Sequence, residues 1–132
     1  MSRTPTYIYK LVPPDLIVLP LPERLPLSQL DANDGFIHLS TAVQLPETLR
    51  RYFANEMKMY ILRLEYKHVE KDIRWEDPRG KDPGDIGAEG IYPHLHNGGQ
   101  LGSEEVEDVF VLERGGEDWD IEKIRNSEWL VY

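Results

Sequence analysis

A chain of 132 residues can bury one hydrophobic core but is too short for two ordinary domains, and its 40% hydrophobic content predicts a folded protein rather than a disordered one. The excess of 24 acidic over 15 basic residues gives a net charge of −9, which argues against extended nucleic acid as a partner because that binding depends on basic surfaces. The absence of cysteine excludes disulfides, thiol catalysis and cysteine-ligated metal sites.

The first thirty residues predict a strand followed by an extended segment. Residues 6–12 are rich in aromatic and β-branched side chains, which favours a first strand, and two prolines end it. Residues 15–30 are apolar but contain Pro20, Pro22 and Pro26, which forbid a continuous helix. We expect this segment to be extended, with an edge strand over residues 16–19, and to lie over the core, where it would cover a pocket.

The stretch from Asp34 to Thr41 combines a turn, a strand and the start of a helix. Asp34-Gly35 is a turn signal, the next four residues read as a short strand, and the spacing of Thr41 and Gln44 is that of a capping box. A strand end beside a helix N-terminus favours anionic or oxygen-rich ligands. Because side chains alternate along a strand, three residues should share one face, the floor of a binding site. They are Phe36, His38 and Ser40.

The remainder of the chain predicts further strands around this one helix. Alternating apolar residues over 58–66 predict a strand with one solvated face, and shorter strands are expected over 73–76 and 106–112. The loop over 77–90 is rich in glycine and proline, and a loop of this length is more often functional than idle. One stripe of the helix should be buried. Its residues are Leu45, Leu49, Tyr52 and Phe53.

Strands dominate around one main helix, so the sequence predicts an α+β domain with antiparallel or mixed sheets. We expect residues 1–112 to form a single globular domain and residues 113–132 to form a C-terminal extension that docks on it. The loose spacing of Trp119, Ile124 and Trp129 leaves open whether this tail is a helix or an extended arm.

The sequence also bears on where the protein resides. Residues 1–5 lack the apolar run of a signal peptide. The chain has no run of about 18 apolar residues, which a membrane span would need. We therefore expect a soluble, cytoplasmic protein without a membrane partner.

Histidines and one glutamate are the side chains most suited to chemistry. His38 lies in an otherwise apolar strand, where an ionisable ring costs free energy unless it has a partner, although a satisfied structural histidine is an alternative. Glu76 follows Trp75, and a carboxylate against an aromatic wall suits a general base or an anchor for a ribose hydroxyl. The alternative is a strand glutamate that simply faces solvent.

The sequence gives weaker support to other kinds of site. His94 and His96 have the spacing by which a strand presents two imidazoles to one metal ion, and Glu76 or His38 could supply a third ligand. That spacing is a weak signal by itself, and no metal ligand is assigned. Ser40 lacks the G-x-S-x-G elbow of serine hydrolases, and no glycine pattern matches a P-loop or a dinucleotide fingerprint.

Several of these motifs resemble those of one family. The residues from Asp34 to Ala42, with Gln44 and residues 46–49 after them, resemble the signature of the domain-of-unknown-function 952 family. The resemblance extends over residues 7–112. The chain departs from the family in its longer loop before Tyr92, its proline-rich segment after Lys10 and its extra tail. Its other matching motifs are Tyr9-Lys10, Arg74-Trp75-Glu76 and Tyr92-Pro93-His94-Leu95, the last being similar to Phe-Pro-His-Leu-Tyr-Gly.

That family resembles the ADP-ribosyltransferase superfamily in fold, and residues 37–40 are similar to the His-Val-His-Leu-Ser stretch of its NAD-dependent RNA 2′-phosphotransferases. The resemblance implies an NAD site in which His38 contacts the ribose or a phosphate and Glu76 holds a ribose hydroxyl, which makes these two the candidate catalytic residues. The superfamily's His-Gly-Thr motif is missing from the first strand. The cofactor-binding residues implied are His38, Ser40, Thr41, Tyr92 and His94.

We therefore expect a small domain that binds NAD or a related nucleotide, with ADP-ribosyl or phosphoryl transfer as its chemistry if it is an enzyme. Two other functions stay open. The first is a noncatalytic module that recruits a protein partner through residues 113–132. The second is a metal-dependent hydrolase that uses histidines and Glu76.

Overall fold

Two three-stranded antiparallel sheets and four short helices make up residues 4–132, which are the residues that this computed structural model describes. The predicted α+β class with antiparallel sheets is confirmed. The strands are β1 Tyr7–Val12, β2 Ile37–His38, β3 Lys58–Glu65, β4 Ile73–Glu76, β5 Tyr92–Leu95 and β6 Asp108–Glu113. The helices are α1 Gln29–Asp34, α2 Leu45–Tyr52, α3 Tyr66–Val69 and α4 Ile121–Arg125, with a 3-10 turn at Glu70–Asp72.

The first sheet has the order β1–β3–β6, so β3 is its central strand. The prediction that one face of β3 is solvated holds at the end of the strand, where Glu65 is exposed, but not at Met59 and Ile61. Leu62 and Leu64 face one buried cluster, while Met59 and Ile61 face a second one and are fully buried too. The reason is that α2 and the C-terminal tail cover the face that was expected to meet water.

The second sheet has the order β2–β5–β4, with His38 opposite His94 and Glu76 opposite Tyr92. Alternation sends Ile37 and Leu95 into the first core cluster, so the neighbouring positions turn to the other face. Two hydrogen bonds between the main chains of Tyr9 and Ser40, each 2.8 Å long, connect this sheet to β1. The sheet thus carries apolar residues on the core side and polar residues on the opposite side.

The segment before β2 differs from the prediction. Residues 16–19 form no strand, and the last residues of the segment begin helix α1 instead of continuing extended. The Ser28 side chain caps α1 by accepting a hydrogen bond from the Asp31 N–H, and Gly35 ends it in the left-handed conformation at φ 78°. The Asp34-Gly35 turn signal therefore marks the end of a helix.

Helix α2 has the expected start but a different buried stripe. A capping box forms just before Leu45, in which Gln44 Oε1 accepts from the Thr41 main-chain N–H at 3.0 Å and Thr41 Oγ1 accepts from the Gln44 main-chain N–H at 3.2 Å. Leu45 and Leu49 are fully buried, as predicted. The prediction for Tyr52 is wrong, because its side chain is 67% exposed and lines an open cavity instead of packing in the core.

The C-terminal tail packs on the first sheet and includes helix α4. Trp119 and Ile124 belong to the second core cluster, and the Trp129 ring stacks on Phe110 at 4.9 Å. The Tyr9 hydroxyl accepts a hydrogen bond from the Val131 N–H at 2.8 Å. The tail therefore shares a core with the strands, and the division of the chain at residue 113 stays a prediction. Every helix within residues 4–132 is too short or too polar to cross a membrane.

Candidate functional site

The polar face of the second sheet carries the candidate site, and its first component is an Asp–His–Lys cluster. Asp31 is only 2% exposed, and its carboxylate accepts a hydrogen bond from Lys10 Nζ at 2.7 Å on one oxygen and from His38 Nδ1 at 2.7 Å on the other. The His38 main-chain N–H donates to the same carboxylate at 3.1 Å. Three donors thus hold one buried acid, which fixes the His38 ring in position.

The electrostatics of Asp31 follow from its partners. Burial alone would raise the pKa of Asp31, but the hydrogen bond from His38 and the charge of Lys10 outweigh burial and leave this pKa below its ordinary value. Asp31 is therefore ionised at neutral pH and can only accept hydrogen bonds, so the proton of the His38–Asp31 bond lies on Nδ1. This leaves Nε2 as the chemically available nitrogen of His38.

The other edge of the His38 ring meets a second acid. Asp34 Oδ2 lies 3.0 Å from Nε2, yet this nitrogen is buried and makes no hydrogen bond. The two observations agree if the Asp34 oxygen is close to Nε2 but out of line with it. An imidazole held at Nδ1 and unpaired at Nε2 is suited to bind a ligand or to accept a proton.

A second cluster joins Glu76 to two imidazoles. Glu76 Oε1 lies 3.0 Å from His94 Nδ1 and 2.6 Å from His96 Nε2. The Phe36 ring stacks on His94 and His96, with centroid distances of 4.2 and 4.9 Å, and also contacts the His38 ring at 4.6 Å. Phe36 therefore connects the two clusters, and the predicted shared face of Phe36 and His38 is observed.

The pKa values of Glu76 and His94 both lie below their ordinary values. Burial favours the protonated form of Glu76, but hydrogen bonds from His96 and His94 prevail and lower the pKa of Glu76. Burial also lowers the pKa of His94, against the hydrogen bond to Glu76 that would raise it. At neutral pH the cluster thus combines a carboxylate with a neutral His94 ring.

His38 and His94 line a cavity of about 700 Å³. Its walls include side chains from β1, α1, β2 and β5, and from the loop after β4. Apolar residues such as Leu16, Leu25 and Leu27 line one part of it. The polar and charged residues that line it include Lys10, Asp31, Asp34, His38, Arg79, Lys81 and His94.

The structure brings together most of the predicted site residues. His38, Ser40, Tyr92 and His94 line this one cavity. Thr41 does not line it and contributes instead to a second groove beside α2. Glu76 is 7% exposed and does not line the cavity, but it touches His94, which does. The catalytic and cofactor-binding roles of these residues stay predictions.

Sequence reasoning missed the two acids that flank His38. Both acids lie in α1, which was not predicted, because the extended segment was expected to run to Leu30 and Asp34 was assigned to a turn. A signal was present, because Ser28 and Asp31 have the spacing of a helix N-terminus and Gly35 has that of a helix end. Arg79 and Lys81 were also missed, since nothing in a flexible loop indicates which wall it will form.

Known proteins are similar to this chain over most of its length. Residues 22–109 match the family model of DUF952, described as a protein of unknown function. The fold is similar to the X-ray crystal structure of protein CC0527 from Caulobacter crescentus, with a TM-score of 0.63 and 25% identity over 90% of this chain and 98% of that one. The solution NMR structure of CC0527 gives a TM-score of 0.59 and 26% identity, covering 84% of this chain and 88% of that one. No curated protein matches the chain.

Proposed function

The chain belongs to the DUF952 family, and because the description of that family names no activity, we propose from the site itself that the cavity binds a nucleotide of the NAD type. The observation that carries this proposal is that His38, Ser40 and His94 line one cavity together with Tyr92. Its volume of about 700 Å³ lies within the range of about 300–1,000 Å³ that is typical of small-molecule sites.

The charges around the cavity suit the parts of such a nucleotide. Arg79 and Lys81 are exposed cations at the wall formed by the loop after β4, and they would bind a pyrophosphate. Asp34 retains acceptor capacity for a ribose hydroxyl, whereas both oxygens of Asp31 are already bonded. Tyr92 offers a ring face for a nicotinamide or adenine base. A net-negative chain thus presents cations where a phosphate would lie.

ADP-ribosyl transfer is the chemistry that we propose for the bound nucleotide, on the strength of the superfamily resemblance. The bond between nicotinamide and the ribose C1′ breaks, and its electron pair leaves with nicotinamide. An acceptor hydroxyl bonds to C1′ and gives its proton to Nε2 of the cavity-lining His38, a nitrogen that makes no hydrogen bond. Glu76 would act by orienting His94, since its Oε1 is bonded to two imidazoles, and Asp34 would take the ribose contact first assigned to Glu76.

A thermal shift experiment tests nucleotide binding. The full chain is melted in a chelator with NAD, ADP-ribose or nicotinamide, because a ligand that binds only the folded state stabilises it by about 2.7 kcal/mol at a concentration of 100 Kd. For a chain of this size we expect the Tm to rise by roughly 8 °C with NAD and ADP-ribose. The shift should shrink in His38→Gln and persist in His68→Gln, an exposed histidine outside the cavity. No shift with either nucleotide at millimolar concentration would end the proposal.

Recruitment of a protein partner through residues 113–132 is a separate proposal. The packing of the tail in the core limits which of its residues a partner could bind. Trp119 is only 7% exposed, so a partner would bind the exposed residues of the tail instead, and these include Glu117 and Asp118. Deleting the tail would also uncover the second core cluster. A pull-down with Glu117→Lys and Asp118→Lys, which leave the core intact, is therefore the better test of that function.

A further inference from the structure

Three potential metal-ligand atoms converge on the polar face of the second sheet. One donor atom from each of Glu76, His94 and His96 lies within 4.8 Å of the other two, and Glu76 Oε1 contacts His94 Nδ1 and His96 Nε2. Within residues 4–132, no other group of three His, Asp or Glu residues brings its donor atoms so close together. His38 is not part of this group, since its two nitrogens face Asp31 and Asp34 separately.

The local structure preorganises these three donors. His94 and His96 flank Leu95, so strand alternation directs both rings to the side opposite the buried leucine. The main-chain N–H of His96 donates to the main-chain carbonyl oxygen of Asp72 at 2.8 Å, which holds His96 in place just beyond β5. Phe36 stacks on both rings and restricts their rotation. The two imidazoles therefore point to one carboxylate oxygen without a mobile loop between them.

We propose that Glu76, His94 and His96 bind one divalent transition-metal ion of the Zn²⁺ class. Two imidazole nitrogens and one carboxylate oxygen form a donor set that zinc, iron, manganese and nickel accept, whereas Mg²⁺ and Ca²⁺ prefer oxygen alone. The ion replaces the protons that the two rings now share with Glu76. Three protein ligands leave a further position for water or substrate.

The position of the ion connects it to the cavity. His94 both supplies a donor to the cluster and lines the cavity wall. A metal at Nδ1 leaves the proton of a neutral His94 ring on Nε2, so this nitrogen would donate a hydrogen bond rather than accept one. Metal binding itself requires no nucleotide, so the proposal of a metal site is independent of the proposed function.

Calorimetric titration of the full chain with ZnCl2, after removal of bound ions by a chelator, tests the site. We expect one ion per chain, with a rise in Tm on loading. Removing one ligand in His96→Gln or Glu76→Gln should weaken binding by at least the roughly 10–100-fold that loss of an outer-shell partner costs. The matched control is His68→Gln, which removes an exposed histidine on α3 and should leave the affinity unchanged. Absorption of the Co²⁺-loaded protein reports the ligand geometry.

Two results would overturn the metal site. The first is the absence of saturable one-to-one binding of Zn²⁺ or Co²⁺ by the wild-type chain. The second is wild-type affinity in a His96→Gln variant whose circular dichroism shows a native fold. The substitutions avoid His94, because its side chain is fully buried in β5 and replacing it would disturb the packing around it. Because nucleotide binding is measured in a chelator, a failure there leaves the zinc titration unaffected, and the reverse holds too.

Discussion

Replacing Gly80 by alanine tests how closely the loop after β4 packs on the Phe36 ring of the site. Gly80 lies in the loop after β4 with φ 72°, a left-handed conformation that alanine rarely adopts. An added Cβ would lie 2.6 Å from Phe36 Cε2 and 2.8 Å from its Cζ. The Phe36 ring cannot easily yield, because it is buried and contacts three imidazole rings at 4.2 to 4.9 Å.

Two costs add up in Gly80→Ala. The left-handed backbone costs an alanine about 1–2 kcal/mol. Forcing the Phe36 ring aside costs about 1–3 kcal/mol, as overpacking does in other cores. The sum of about 2–5 kcal/mol should lower the Tm by roughly 6–18 °C for a chain of this size. Gly98→Ala is the matched control, because Gly98 has φ 76° but no atom within 4 Å of its added Cβ, so it incurs the first cost alone.

Urea unfolding of the two variants, followed by circular dichroism, gives the two free energies. We expect Gly80→Ala to be the less stable variant by about 1–3 kcal/mol, since the backbone cost is common to both. Chemical shifts of the ring protons of His38 and His94 should also change in Gly80→Ala only. Equal destabilisation of the two variants would refute the close packing of the loop on Phe36.

The remaining predictions concern the acid cluster, the tail and the cations. Asp31→Asn should lower the free energy of unfolding at pH 7 by about 3 kcal/mol, because it leaves Lys10 largely buried without its partner. The folded-state pKa of Asp31 is below its ordinary value of 3.8, so the stability that ionised Asp31 contributes is complete above that pH and is lost as the pH falls through the folded-state pKa. Urea unfolding at pH 7 and pH 3 should therefore show a smaller pH dependence of stability in Asp31→Asn than in the wild type. Trp119→Ala should cost about 3–5 kcal/mol in the same assay, since the ring is buried in the second core cluster. The double variant of Arg79→Ala and Lys81→Ala should weaken ADP-ribose binding about tenfold and leave adenosine binding unchanged, as measured by calorimetry.

Each of these predictions has a contradicting result. If the pH dependence of stability were the same in wild type and Asp31→Asn, ionised Asp31 would not stabilise the fold. A loss below about 1 kcal/mol in Trp119→Ala would mean that the tail does not complete the core. Equal weakening of ADP-ribose and adenosine in the double variant would mean that the cations do not bind phosphate.

Local patterns predicted the parts of the site that a single strand determines. Alternation placed Phe36 and His38 on one face, and the same rule placed His94 and His96 on one side. The capping-box spacing of Thr41 and Gln44 also corresponds to observed hydrogen bonds. These features depend on residues within a few positions of each other, which is why the sequence alone was sufficient.

Features that depend on tertiary packing were not accessible in this way. Met59 is buried because α2 and the distant tail pack on its face of the sheet, and Tyr52 is exposed because it lines a cavity that several elements enclose. Helix α1 was missed because the prolines before it dominated the pattern, although Ser28 and Gly35 marked its ends. With α1 unassigned, Asp31 could not be recognised as the partner of His38.

Calorimetric titration of ADP-ribose into the chelator-treated wild-type chain measures the central claim most directly. We predict saturable binding of one ADP-ribose per chain, weakened about tenfold or more by His38→Gln, because a lost hydrogen bond to a charged group costs about 1.5–3 kcal/mol. A titration that shows no saturable heat at millimolar ADP-ribose would contradict the assignment of this cavity to a nucleotide.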